Sequence, residues 1–408
     1  MAPADAVGGV AAKEVAYPES TAEAAALIAG TRDLAVVVRG AGTKIGWGMP
    51  PERLDLIIDT SRLTGIVEHA AGDLIAVVRA GIPMSECDLP GQQLALDSPM
   101  PGATIGGTVA ANVSGPRRLL YGTARDLLIG ITVVRPDGTV AHAGGKVVKN
   151  VAGYDLGKLF IGSYGTLGLI TECAFRLHPR PAATAVVRAS APSPAAAGRL
   201  VEAVRSAQVV PSAVEVNAPP DGPVEVAVMV EGSSEGVRDR AATLRKLLGF
   251  TAEEGVPQWW GRLPWAAGDV GLKLTAPLSR VSSLLEAARE TGAAVTVRGS
   301  AGSGVLYAGL PPPDSPRYSE QSAAEPPGLP DSPRYSEQSA AEVARAVEYL
   351  RGAATRAGGH AVVLTAPAEV RRGLDMWGPV GGLALMRRVK EQFDPGRRFA
   401  PGRFVGGI

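Results

Sequence analysis

The sequence predicts an α+β protein: a glycine-rich first domain, then a smaller α+β domain, then a short C-terminal segment. Three observations lead there. First, glycine recurs every few residues between short apolar runs from Pro99 to Ile170. Examples are Pro101-Gly102-Ala103-Thr104-Ile105-Gly106-Gly107, Tyr121-Gly122-Thr123-Ala124-Arg125-Asp126 and Gly162-Ser163-Tyr164-Gly165-Thr166-Leu167-Gly168. Second, upstream of it a helix and a strand run into the turn Arg39-Gly40-Ala41-Gly42-Thr43-Lys44. Third, beyond Pro181 alanine-rich helical stretches alternate with β-branched strands in two similar rounds, an α+β pattern.

Glycine has no Cβ, so its backbone can approach a ligand closely and adopt positive φ. Successive N–H groups in such turns form anion-binding concavities. Each turn alone reads as a structural β-turn; several in one segment favour a large anionic cofactor such as a dinucleotide. In the first turn, N–H donors, Thr43 and Lys44 are suited to a pyrophosphate. Its spacing is not GxGxxG opening a helix, so a Rossmann fold is not expected.

With 408 residues, 46% hydrophobic and 20% charged, the chain can bury cores in two or three domains. A net charge of +1 gives no electrostatic footprint for nucleic acid or anionic lipid. Cys87 and Cys173 are too few for an iron–sulfur cluster and do not form a disulfide framework, which points to a reducing compartment. Residues 1–17 lack the pattern of a secretory signal, and no apolar run approaches the ~18 residues of a membrane span.

In chain order, Ser20 with Glu23 caps a helix over about 20–30. Strands follow at Leu34–Arg39, Leu54–Asp59, Gly65–His69 and Asp73–Arg79, and proline in a first turn opens a helix over Pro83–Leu89. The turn at 135–139 joins Ile129–Val134 to Val140–Ala143 as a hairpin. A short helix over Tyr154–Ile161 and a long strand over Leu167–His178 complete the first domain. The second domain reads as Thr184–Arg188, helix 194–206, Ala213–Asn217, Val224–Glu231, helix 235–248, then Gly271–Thr275, helix 279–291, Ala294–Arg298, Gly304–Gly309 and Ala361–Thr365. Trp259, Trp260 and Trp265 lie between the rounds as a packing knot or, alternatively, a substrate lid. The twelve residues Asp314–Glu325 recur unchanged at Asp331–Glu342, a tolerated insertion whose first copy is expected to be disordered and whose second runs into a helix near Ala341. A last helix over about 381–393 precedes the tail Phe393–Phe404.

The phrases ATIGGTVAANVSGPRRLLYGTARDLLIG (103–130) and KVVKNVAGYDLGKLFIGSYGTLGLITE (146–172), with RGAGT (39–43) and FDPGRRFAPGRF (393–404), resemble the vanillyl-alcohol-oxidase (PCMH-type) FAD-binding family. Within it they are most similar to the FAD-binding E-type subunits of bacterial glycolate oxidases. The resemblance implies a two-subdomain FAD-binding domain over 1–181, a ferredoxin-like cap over 182–370 and a C-terminal segment, 371–408, that returns to the FAD domain. It implies FAD pyrophosphate at Arg39, Gly40, Ala41, Gly42, Thr43 and Lys44. Pro101, Gly102, Ala103, Thr104, Gly106 and Gly107 would run along pyrophosphate and flavin, with Gly122, Arg125 and Asp126 near the ribityl region. Gly165, Thr166, Gly168 and Ile170 would present backbone to adenine or flavin. The first loop holds neither His nor Cys, so the FAD is expected to be noncovalent.

The implied activity is oxidation of glycolate, a small 2-hydroxy acid. It would run in a cytoplasmic complex, at most peripheral to the membrane, with a larger catalytic flavoprotein and an iron–sulfur subunit. A self-sufficient D-2-hydroxy-acid dehydrogenase and a non-catalytic FAD-binding scaffold are the alternatives. His69, His142, His178 and His360 have no paired spacing, so no metal site is expected. No residue stands out as the base. His360 reads either as facing the flavin or as structural; Arg371 and Arg372 read either as a carboxylate clamp or as solvated residues.

Overall fold

A computed structural model describes residues 5–145, 155–249, 252–312 and 335–408. The chain forms two compact units. The first comprises Met1–Arg117, Tyr121–Arg180 and Val380–Ile408, and the second Arg118–Leu120 and Pro181–Pro379.

Among its described residues the first unit holds two main sheets and two short two-stranded ribbons. Strands β1 (Glu14–Ala16), β2 (Val36–Arg39) and β3 (Leu56–Asp59) pair in parallel in the order β1-β3-β2, with α1 (Thr21–Gly30) on the connection between β1 and β2. The Ser20 hydroxyl caps α1 by accepting the Glu23 N–H at 3.1 Å, and the Glu23 carboxylate accepts from Glu19 N–H at 2.9 Å. The core here is Ala24, Ile28, Val36, Leu56, Ile58 and Phe399.

The second sheet is antiparallel. It contains β4 (Ile66–Ala70), β5 (Ile75–Arg79), β6 (Leu128–Val134), β7 (Val140–Gly144) and β8 (Leu169–Arg176), ordered β7-β6-β8-β5-β4. A short helix, α2 (Ile105–Ala111), buries Ile105 and Val109 among Val78, Ile131, Cys173 and Phe175 of that sheet. The tail joins the first sheet by its backbone: Val36 N–H donates to Arg398 O and Ala400 N–H to Val36 O, each at 2.7 Å.

The second unit is one eight-stranded antiparallel sheet made of two βαββαβ rounds. The first is β9 (Ala183–Ala191), α3 (Pro194–Ser206), β10 (Ala213–Ala218), β11 (Val224–Gly232), α4 (Ser234–Leu248) and β12 (Glu253–Glu254). The second is β13 (Val270–Thr275), α5 (Val281–Glu290), β14 (Thr296–Ser300), β15 (Val305–Leu310), α6 (Glu337–Arg356) and β16 (His360–Thr365). The strand order β12-β9-β11-β10-β14-β15-β13-β16 places the rounds edge to edge, joined where β10 pairs with β14. Each round is thus a ferredoxin-like unit.

Several local expectations change. Pro83–Leu89 forms only a 3₁₀ turn at Met84–Glu86. Glu86 N–H closes on Pro83 O at 3.0 Å and Cys87 N–H on Met84 O at 3.4 Å, both 3₁₀ bonds, and Leu89 precedes Pro90, which disfavours helix. The helix expected over Tyr154–Ile161 is confined to Gly157–Phe160, with Tyr154 outside the described residues. Helix α6 starts at Glu337, before Ala341, because Ser336 caps it by accepting Ser339 N–H at 3.1 Å. Its approach is fixed by buried Tyr335, whose hydroxyl donates to Leu310 O at 3.2 Å. The first copy of the duplication lies outside the described residues, as do Lys146–Tyr154 of the second long motif. The C-terminal helix runs Leu383–Phe393, after Gly382 takes φ 75°. No helix among the described residues is long and apolar enough to cross a membrane.

Candidate functional site: a glycine-lined cleft

Where β2, the end of β5, α2 and the loop before β8 meet in the first unit, they leave a cleft of about 770 Å³, open solvent included. Of the residues predicted from sequence, Arg39, Gly40, Ala41, Gly42, Thr43, Lys44, Thr104, Gly106, Gly107, Gly165, Gly168 and Ile170 line it together. Pro101, Gly102, Ala103, Gly122, Arg125, Asp126 and Thr166 are not in its lining. Pro101 and Gly102 are exposed and Ala103 is buried. Thr123 and Asp126 form the capping box of the short helix Ala124–Leu127, and Arg125 is exposed. Thr166 is buried, its hydroxyl donating to Ser163 O at 2.7 Å.

The first loop is shaped to receive an anion. Gly42 takes φ 74°, a left-handed conformation that favours glycine. The amides of Ala41, Gly42, Thr43 and Lys44 donate to no acceptor among the described residues. Lys44 is half-buried beside them. Its ammonium donates to the Thr43 hydroxyl at 3.1 Å and has no carboxylate partner among the described residues. Burial therefore pushes its pKa down to about 8. Four free amides and an uncompensated cation on one cleft wall match a diphosphate, so the residues present fit an FAD.

Helix α2 contributes in another way. Its first amides are engaged by protein: Ile105 N–H with Ile82 O at 3.0 Å, Gly106 N–H with Ala80 O at 2.7 Å, and Gly107 N–H with the Thr104 hydroxyl at 3.3 Å. A Cβ on Gly106 would stand 2.7 Å from Ala80 Cβ, whereas one on Gly107 would meet only the Thr104 hydroxyl, at 3.1 Å. Gly106 is small so that helix and strand can touch; Gly107 keeps the cleft open.

Sequence reasoning did not assign Tyr164 and Arg403 to the site, although both line the cleft. Tyr164 takes φ 56°, strained for a side chain of its size, and its ring lies 5.3 Å from that of Phe404. The Arg403 guanidinium donates to the carbonyls of Ile45, Trp47 and Met49, so it braces the chain just after Lys44. Opposite, buried Lys390 donates to Thr166 O at 2.7 Å, Phe399 O at 2.8 Å and the Asp394 carboxylate at 2.6 Å. The Asp394 carboxylate accepts in turn from the N–H groups of Arg398 and Phe399. The signal was the Asp-Pro-Gly-Arg-Arg tail; its long-range partners were not legible.

If this loop holds the diphosphate of FAD, the bound anion favours the protonated Lys44 ammonium, so FAD affinity should be full below about pH 8 and fall as pH rises above that value. Lys44→Gln should flatten the profile and weaken FAD by roughly 10–150-fold at pH 7, the equivalent of ~1.5–3 kcal/mol for a charged hydrogen bond. Fluorescence titration with FAD from pH 6.5 to 9.5 measures both; equal affinity across that range would contradict the assignment.

The second unit carries a separate polar row on one sheet face. Direct register pairs place Glu225, Asn217, Arg298, Tyr307 and Lys273 side by side across five strands. Arg298 donates to Asn217 Oδ1 at 2.6 Å, and Asn217 to Glu225 at 3.2 Å. Arg118 donates to the Tyr307 hydroxyl at 3.4 Å. Lys273 is half-buried, with no hydrogen bond or ion pair among the described residues, and burial and then the nearby Arg118 push its pKa down to about 8. His360 is exposed at the start of β16; its register partner Thr275 is two residues from Lys273, so both share that face. Arg371 donates to Ala366 O, and Arg372 is exposed; neither joins the row. No group of three or more His, Cys, Asp or Glu among the described residues is placed to hold a metal.

Residues 12–144 match the family described as FAD binding domain, and 369–404 match the C-terminal domain of FAD-linked oxidases. The first unit thus holds the stretch that matches an FAD binding domain, and the cofactor is FAD. A glycolate oxidase subunit, GlcD of Bacillus subtilis, is 35% identical over 185 residues, 44% of this chain and 39% of that protein. GlcE of Escherichia coli is 37% identical over 159 residues (38% and 45%), and a D-lactate dehydrogenase of Archaeoglobus fulgidus 34% over 172 (41% and 39%). The matched stretch spans about two fifths of the length of these relatives. Among solved structures, alkyldihydroxyacetonephosphate synthase superposes with a TM-score of 0.68 at 18% identity, covering 96% of this chain and 77% of that one. Chitooligosaccharide oxidase gives 0.63 at 15%, covering 96% and 92%. At those identities the likeness is one of fold.

Proposed function

We propose that this chain is the FAD-binding subunit of a glycolate-oxidase-type complex in the cytoplasm. It holds FAD noncovalently in the first unit's cleft and takes part in oxidising a small 2-hydroxy acid to its 2-keto acid. When bound, FAD supplies the two-electron acceptor. Electrons then leave through an iron–sulfur partner, beside a larger catalytic flavoprotein. The similarity to both glycolate oxidase subunits and to a D-lactate dehydrogenase supports the substrate class.

The observation that carries the substrate reading is Lys273. A desolvated cation next to Arg118, with no carboxylate partner among the described residues, is suited to an external anion. Lys273 and Arg118 bind the substrate carboxylate in this reading, and Tyr307 orients Arg118. The test is anaerobic addition of glycolate or D-lactate to the FAD-loaded chain, alone and with its partner subunits. Bleaching of the flavin only with partners present is expected. Bleaching by the chain alone favours a stand-alone dehydrogenase, and no bleaching in either case favours a scaffold. Lys273→Met should raise KM by roughly 10–150-fold with kcat little changed. In the wild type KM should climb as pH passes about 8 and Lys273 loses its proton.

A further inference from the structure

The tryptophan-rich stretch between the two rounds divides into two parts with different surroundings. Trp259 and Trp260 pair at 6.2 Å and pack on Val186, Ala227 and Met229, as the packing knot expected from sequence. Trp265 leaves that cluster. Gly271 and Gly309 are direct register partners on β13 and β15, two residues from Lys273 and Tyr307 respectively and on the same face. They leave bare backbone immediately beside the Lys273–Tyr307 pair. The Trp265 indole fills that space: a Cβ on Gly271 would lie 2.6 Å from its ring carbons, and one on Gly309 would lie 2.0 Å from Pro264 O and 3.1 Å from Trp265 Cβ. Its ring meets Tyr307 edge-on at 6.0 Å.

This indole is fixed from both sides. Arg298, already held by Asn217, donates to Leu263 O two residues before it, at 3.5 Å. Ala266 N–H, one residue after it, donates to Asp269 Oδ2 at 2.9 Å. A ring pinned at both flanks and seated on glycine backbone is a wall and not a mobile flap.

We infer that Trp265 is the specificity-determining residue of the Lys273–Arg118 site: it caps the space beside the bound carboxylate, so that the site takes two- and three-carbon 2-hydroxy acids and rejects those with bulky substituents at the α-carbon. The inference rests on the proposed carboxylate role of that site. Its physical basis is steric: once the carboxylate is anchored on Lys273, the neighbouring sheet surface is already occupied by a rigid aromatic ring, and a larger substituent has no room without displacing it.

The experiment is calorimetric titration of the full chain with oxalate and with phenylglyoxylate, a readout independent of turnover. Wild type should bind oxalate and discriminate against phenylglyoxylate. Trp265→Ala should improve phenylglyoxylate relative to oxalate by roughly tenfold or more. Trp265→Phe, which keeps an aromatic on the glycine bed, should shift the ratio part of the way, and it also serves if the alanine variant does not fold. Trp259→Ala, which removes an indole from the same stretch, should leave the ratio unchanged. Binding of both acids with a ratio unaltered by both Trp265 variants would overturn the inference alone. Failure of wild type to bind either acid would overturn the carboxylate site itself, and the inference with it.

Discussion

Gly107→Leu should purify as a folded, colourless protein. Gly107 lines the cleft, and a Cβ there meets only the Thr104 hydroxyl, at 3.1 Å, so the added atoms would extend into the space proposed for FAD. The substitution creates no buried polar group and improves helix propensity, so the melting temperature should stay within about 3 °C of wild type. FAD affinity should fall by more than ~100-fold. Gly106→Val provides the contrast. Its side chain would collide with Ala80 and strain the Gly106–Ala80 hydrogen bond. Such overpacking costs about 1–3 kcal/mol, so that variant should lose stability as well as flavin. If Gly107→Leu retained yellow colour at full occupancy, the cleft would not be the flavin site.

Lys390→Met should be the most destabilising single change in the first unit. Lys390 is 3% exposed and Asp394 is fully buried, so removing the ammonium leaves an uncompensated carboxylate in the core. Breaking a buried pair in this way costs roughly 3–5 kcal/mol, a drop on the order of 10 °C for a domain of this size. The same change removes the donor that holds Thr166 O, next to cleft residue Gly165, so FAD binding should weaken at temperatures where the variant is still folded. The double variant Lys390→Met/Asp394→Leu, which replaces the pair by apolar groups, should recover much of the stability. Thermal melts with and without FAD read both effects; a melting point unchanged in the single variant would mean that the network carries no load.

Much of this arrangement was legible in the sequence because it is local. Ser20 with Glu23, the β-branched run before Gly40, and the Pro-Asp-Gly hairpin turn each announce their structure within a few residues. So do the two rounds after Pro181, whose periodicity changes from helix to strand at regular intervals. The free amides of the first loop follow from its glycines.

What was hidden is what depends on distant partners. The glycines at 106 and 107 look alike in the chain; only packing separates the one that touches Ala80 from the one that keeps the cleft open. Lys390 and Arg403 each hold backbone carbonyls more than two hundred residues away, at Thr166 and at Met49. Lys273 is one lysine in an alternating strand, and its isolation becomes visible only when register brings Tyr307 and Arg118 beside it.

In the function proposed above, the free amides of residues 41–44, with Lys44, hold the diphosphate of a noncovalent flavin dinucleotide. A visible absorption spectrum of the purified chain, before and after acid precipitation, tests it most directly. The expected result is a flavin band that passes entirely into the supernatant as FAD, together with its loss from a Lys44→Gln, Gly42→Val variant. A chain that stays colourless after incubation with excess FAD, or a flavin that remains in the precipitate, would contradict it.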